Sequence, residues 1–160
     1  MVRVPLRYLP LRITRKDRAK QVRALSRSRK AYKVGKYYQR PKIASFKNKK
    51  SDHIVRAIKM YGVDSIVPGP ELARKTQCSV SALKQIVKKG EGAYYSSGSR
   101  PNQTARSWGI ARLASSITGG KASAVDYAIL ERGCNHKTSK AFRLAKPPSY
   151  GRRHTRRVVL

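Results

Sequence analysis

Three short runs of apolar residues at helical spacing, cut by strong breakers, fill residues 51–89 and restrict that stretch to a small helical core. Ser51 is placed to cap a helix that carries Ile54, Val55, Ile58 and Tyr61, and Gly62 stops it. Pro68-Gly69-Pro70 leads into a second short helix from Glu71 to Thr76. Cys78-Ser79 then turns into a third, Val80 to Lys89, with Gly90 as its end.

That order resembles a helix-turn-helix unit. Ala73 is the small residue such a unit wants at the helix crossing, Leu72 and Cys78 are apolar at the turn, Ser79 caps the next helix, and Leu83 and Ile86 face the core. Gln77 stands where the unit usually has glycine, because the backbone there turns left-handed, so a tighter or differently shaped turn is expected. If the unit reads DNA, the exposed face of its last helix is Ser81, Lys84, Gln85, Lys88 and Lys89, with Gln85 suited to an adenine edge and the lysines to phosphate. Trihelical units also build small cores with no reading role.

The next twenty residues, GEGAYYSSGSRPNQTARSWG from Gly90 to Gly109, have too many breakers for a helix and too little aliphatic content for a strand. Tyr94, Tyr95 and Trp108 make an ordered loop the expectation, since large rings bury area against something. Asn102 suits the N-cap of a helix carrying Ala105, Trp108, Ala111, Ala114 and Ile117 up to Gly119-Gly120. Ser96, Ser97, Ser99, Arg100 and Asn102 are thus candidates for holding a phosphate or carboxylate at that helix start. Serines before helices more commonly satisfy their own backbone.

Charge says what kind of partner the chain meets. The formal net charge is +31, which points to a polyanion: nucleic acid, an anionic membrane surface or acidic protein. Residues 1–50 carry 18 Lys/Arg against one acid, residues 51–130 carry 11 against five, and residues 131–160 carry nine against one. The expected architecture is therefore mainly α, with a helical domain at 51–146 between an extended basic arm at 1–50 and a basic tail at 147–160.

Within the first arm, Pro5 and Pro10 hold MVRVPLRYLPLRITRK extended, and Thr14 is placed to cap a helix to Ala31 with Ala19, Val22 and Leu25 on its apolar side. Leu6, Leu9, Leu11, Tyr37 and Tyr38 are candidate anchors in a partner's groove. The interleaved aromatics and cations of YKVGKYYQRPKIASFKNKK suit base stacking equally well.

Ser123 with Asp126 reads as a capping pair for a helix to Arg132, and a short helix is expected from Ser139 to Ala145. Cys78 and Cys134 are too few for a disulfide framework and fit a reducing compartment. With His53 and His136 they lack the paired spacing of a zinc site, so no metal or cofactor is expected. The seven acids are scattered and no nucleophile elbow is present, so no catalytic residue, enzyme activity or small-molecule substrate is expected. No apolar run reaches the length of a membrane span, and the N-terminus lacks a signal-peptide core, so secretion is not expected.

The run GAYYSSGSRPNQTARSWGIARLASSITGGKASAVDYAIL, with SRKAYKVGKYYQRPKIASFKNKKS upstream, resembles a small uncharacterised protein family of large icosahedral DNA viruses of algae and their relatives. The similarity covers most of residues 26–145 and includes Gly90, Tyr94, Tyr95, Arg100, Pro101, Asn102, Gln103, Trp108, Gly119, Gly120 and Asp126 in order. It implies a virion protein assembled in the host cytoplasm, and suggests a minor capsid or cement component inside the shell. Its partners would be the major capsid protein and other minor capsid proteins, with DNA or an internal membrane nearby. The alternative is a non-catalytic nucleic-acid-binding protein, genome-condensing or ribosomal-protein-like.

Overall fold

Two units share the chain, and their boundaries are not those expected of an arm, a domain and a tail. One comprises residues 1–49, 91–105 and 155–160, the other residues 50–90 with residues 106–152. The computed structural model describes residues 1–152 and 155–160; Arg153 and His154 of the expected tail lie outside the described residues. The fold is mainly helical.

In the first unit the two chain ends meet. Strand β1 (Arg3–Pro5) pairs antiparallel with β2 (Arg157–Val159), Val4 opposite Val158. A 3-10 turn at Leu6–Tyr8 leads to helix α1 (Arg15–Lys33), which starts where the Thr14 hydroxyl accepts the Asp17 N–H, as expected. The inward face of α1 is Gln21, Ala24, Leu25 and Ser28; of the expected row Leu25 is buried, while Ala19 is exposed and Val22 only half-buried. Tyr8, Leu9, Ile43 and Tyr94 of the same unit are buried as well, and Gln21 Nε2 of that face donates to the Tyr8 carbonyl.

Residues 1–50 are therefore not an extended arm throughout. Leu9 is 0% exposed, and each such aliphatic side chain contributes roughly 1.5–3 kcal/mol on burial. The expectation failed because the covering residues, 91–105, lie far away in sequence. Gly98 shows how closely they approach: its φ is +126°, and a Cβ there would fall 2.8 Å from Leu25 Cδ2 and 3.0 Å from Tyr8 Cδ2.

The first two helices of the second unit lie where the sequence pattern puts them, although the Ser51 side chain makes no capping bond and Val55 is exposed. Helix α2 (Asp52–Tyr61) ends at Gly62 in the left-handed conformation, and α3 (Pro70–Thr76) ends at Gln77. Helix α4 (Val80–Ser96) does not stop at Gly90; it runs on, and from Glu91 its residues belong to the first unit. Gly90 is a place of close approach instead of a breaker, since a Cβ there would lie 2.7 Å from Gly109 Cα on α5 (Ala105–Ile117).

The chain continues through α6 (Lys121–Val125), α7 (Tyr127–Gly133), α8 (Lys140–Leu144), capped by Ser139, and a 3-10 turn at Pro148–Arg152. Leu83 and Ile86 face the core as expected, and Leu72, Leu113 and Ile129 are buried with them; Ile54 and Ile58 pack against this core half-buried, and Trp108 is half-buried. Ser123 and Asp126 do not form a capping pair. The helix expected there breaks at Asp126 into α6 and α7, and Ser123 Oγ donates to the Gly120 carbonyl while accepting the Lys146 N–H.

The tail, too, is more built than expected: besides the 3-10 turn, β2 pairs with the chain's own N-terminus and the Leu160 N–H donates to the Val2 carbonyl.

Candidate nucleic-acid interface

In the second unit, α3 stops at Thr76 and α4 starts at Val80, after a three-residue turn. Gln77 takes the left-handed backbone conformation usually given to glycine, with φ 57°, and its own Nε2 donates to the Arg74 carbonyl at 2.8 Å. That bond helps a non-glycine residue hold a conformation that otherwise costs about 1 kcal/mol or more. The turn is also tied from outside: Ser79 N–H donates to the Gly133 carbonyl and Asn135 N–H to the Gln77 carbonyl, both at 2.8 Å. Ser79 Oγ accepts the Ala82 N–H, the capping role expected of it.

From this turn α4 presents Ser81, Lys84, Gln85, Lys88 and Lys89 to solvent while Leu83, Ile86 and Val87 are buried. Gln85 Nε2 donates to Ser81 Oγ one turn earlier. Lys89 differs from its neighbours because its ammonium lies 3.6 Å from Asp126 Oδ1. Lys84 and Lys88 thus form the outward charge of this face.

Asp126 itself is fully buried, and it organises the unit's polar interior. Arg112 donates Nε and Nη2 to its two carboxylate oxygens, at 3.0 and 2.6 Å, and Ser116 Oγ donates at 2.7 Å. The sequence pattern points to a helix cap at Asp126; the signal for its actual role is that no other acid lies between Glu91 and Glu131. Nearby in the same unit, the Tyr61 hydroxyl donates to the Ile117 carbonyl, and burial pushes its pKa well above the usual tyrosine range.

Cys78, in the turn, and Cys134 are joined in a disulfide, which removes both from any metal-ligand reading and departs from the expected pair of reduced thiols. Their separation of 56 residues leaves no local signal of pairing.

In the first unit the expected anion site is not assembled. Helix α5 begins at Ala105, not beside Asn102, which is left-handed with φ 62°. Its Oδ1 accepts the Ile43 N–H at 2.7 Å and its Nδ2 donates to the Ile43 and Phe46 carbonyls, so the side chain splices two distant segments. Ser99 is buried and donates to the Arg100 carbonyl, Ser97 is exposed and offers its carbonyl to Arg29, and Ser96 lies half-buried in the last turn of α4. Arg100 is exposed, its pKa lowered by partial burial and by Arg7 nearby.

The group that sequence reasoning missed here is Arg40. Its Nη1 donates to Ser28 Oγ at 3.0 Å and to the Tyr94 carbonyl at 2.6 Å, its Nη2 donates to Ser99 Oγ at 2.7 Å, and its Cζ sits 3.7 Å from the Tyr94 ring centroid. All three acceptors are neutral, and burial lowers the pKa below the usual arginine range. Asp17, by contrast, is held below the usual carboxylate range by hydrogen bonds from Ser45.

The anchor candidates divide. Leu9 is buried, Leu6 and Tyr38 are half-buried, the latter under the Arg27 guanidinium at 4.8 Å, while Leu11 and Tyr37 are each 69% exposed. Tyr37 heads a chain of rings: its centroid is 6.3 Å from Tyr32 and 4.9 Å from Tyr95, and Tyr95 meets Tyr94 edge-on at 5.0 Å.

No helix among the described residues is long and apolar enough to cross a membrane. No curated protein and no solved structure matches the chain. Residues 5–132 match the profile of a family described as being of unknown function, DUF5824, a span that takes in α1 to α6 and most of α7. The chain therefore belongs to the DUF5824 family.

Proposed function

We propose that the protein is a non-catalytic nucleic-acid-binding protein whose second unit lays α4 against a duplex. The observation that carries this is the turn at Gln77–Ser79, braced from α7 and leading into a helix whose solvent face bears Lys84, Gln85 and Lys88. A short turn between two helices, the second one basic and exposed at its start, suits a helix placed in a major groove. Lysines there contact phosphate, and Gln85 is able to exchange its bond to Ser81 for a base edge. The net charge of +31 adds sequence-tolerant attraction to any polyanion.

Salt-dependent binding to a duplex tests this reading. Replacing Lys84 and Lys88 together by alanine is expected to weaken duplex binding and to lower the slope of log K against log salt by about two, roughly one for each phosphate that no longer meets an ammonium. An unchanged slope would exclude α4 as the element that meets the duplex.

A second reading, a minor capsid or cement protein, draws on the two-stranded sheet. Each strand of a two-stranded ribbon has an outer edge that accepts a further strand, and Val2, Leu11 and Val159 are exposed close to or on this ribbon in sequence. Mass spectrometry of purified particles stripped of DNA separates the two: retention with the shell supports the capsid role, and release with the genome supports nucleic-acid binding.

A further inference from the structure

We infer that Tyr37, backed by Tyr32 and Tyr95, is a stacking site for a base of single-stranded nucleic acid. The inference rests on the nucleic-acid reading above but uses residues of the first unit alone.

Tyr37 is a large ring left open to solvent and yet held in place. At the end of α1 the chain reverses through Gly35, whose φ is +74°, with the Gly35 N–H donating to the Tyr32 carbonyl and the Lys36 N–H to the Ala31 carbonyl. That reversal returns Tyr37 to Tyr32 and Tyr95. Tyr95 is in turn fixed, its hydroxyl accepting from Gln39 Nε2 at 3.1 Å and its ring abutting Tyr94, which lies against Arg40. The ring is thus ordered before any ligand arrives, so stacking on it sacrifices little side-chain freedom.

Local charge decides the occupant. From Arg27 to Lys42 there are seven Lys/Arg and no acid, and Lys30, Lys33 and Lys36, flanking the exposed rings, are themselves exposed. A protein groove that covered Tyr37 would have to desolvate these cations or supply matching carboxylates. A single strand brings both what the ring wants and what the lysines want, an open base face with a phosphate beside it. In a duplex the base faces are already stacked.

The test uses the full chain, a fluorescein-labelled oligothymidylate of about 20 nucleotides, longer than a single-strand site of this kind needs, and inorganic polyphosphate as a polyanion without bases. Tyr37→Ala is expected to lower oligothymidylate affinity roughly 5- to 150-fold, the effect of losing one stacked base, with polyphosphate affinity unchanged. Tyr37→Phe should restore binding, and the added indole of Tyr37→Trp should be quenched by oligothymidylate but not by polyphosphate. The inference is overturned if Tyr37→Ala binds oligothymidylate as the parent does, or loses it and polyphosphate alike. Duplex binding that still depends on Lys84 and Lys88 would then leave the α4 reading standing, whereas a parent chain that binds neither form of DNA overturns both.

Discussion

Asp126 shows how one residue's role follows from what surrounds it rather than from its place in a pattern. A carboxylate with no exposed surface is tolerated because Arg112, itself 17% exposed, meets it with two donors, and Ser116 adds a third. Such a pair adds little against a well-packed apolar substitute, but removing one partner strands the other charge away from water. Asp126→Asn keeps the shape and withdraws the charge from Arg112. We expect it to destabilise the second unit by about 3–5 kcal/mol, measured as a drop in urea midpoint. A cost under about 1 kcal/mol would mean that Arg112 swings out to solvent and that the pair behaves as a surface one.

Gly90 and Gly109 carry the argument at the scale of helices. Alanine at an exposed helical site gains about 1 kcal/mol over glycine, so intrinsic propensity favours Gly90→Ala in α4. The added methyl would, however, lie 2.7 Å from Gly109 Cα, a backbone atom that no rotamer change can move. Overpacking costs about 1–3 kcal/mol, and with backbone on the far side its upper range should prevail. Gly90→Ala is expected to lower the melting temperature, whereas Gly69→Ala, with extended backbone and nothing within 4 Å, should leave it nearly unchanged. Equal effects at the two sites would mean that the close approach is unimportant.

The same pair shows what is legible in the sequence. Thr14, Gly62, Ser79, Gly119 and Ser139 all act at or beside the helix ends where a local reading puts them, because caps and stops are made by neighbours in sequence. Gly90 reads as a stop because glycine serves two purposes, and close approach to another helix leaves no local trace. Asn102 looks like a cap for the same reason: its real partners, Ile43 and Phe46, lie 59 and 56 residues away. At the Gln77 turn the order of elements is legible, but the side-chain bond to Arg74 that supports it is not.

For the whole molecule, the uneven charge decides which part depends most on its surroundings. The first unit holds 20 Lys/Arg against two acids in 70 residues, a net +18, while the remaining 90 residues of the chain carry +13. It also holds Arg40, a half-buried cation whose hydrogen bonds go to neutral acceptors. Repulsion among like charges opposes the compact state and is long-ranged at low salt, where the screening length approaches 30 Å at 0.01 M compared with about 8 Å at 0.15 M. The first unit is therefore expected to open before the second as ionic strength falls. Hydrogen exchange followed by mass spectrometry should show α1 and residues 37–46 losing protection at about 0.01 M salt while α2 and α3 keep theirs. Inorganic polyphosphate at the same ionic strength should restore that protection, because a ligand that binds the folded unit adds RT ln(1 + [L]/Kd) to its stability. Protection that is equal in the two units at low salt, or indifferent to polyphosphate, would show that the basic residues are spaced widely enough to be tolerated without a partner, and that the polyanion is a ligand of this surface but not a condition of its folding.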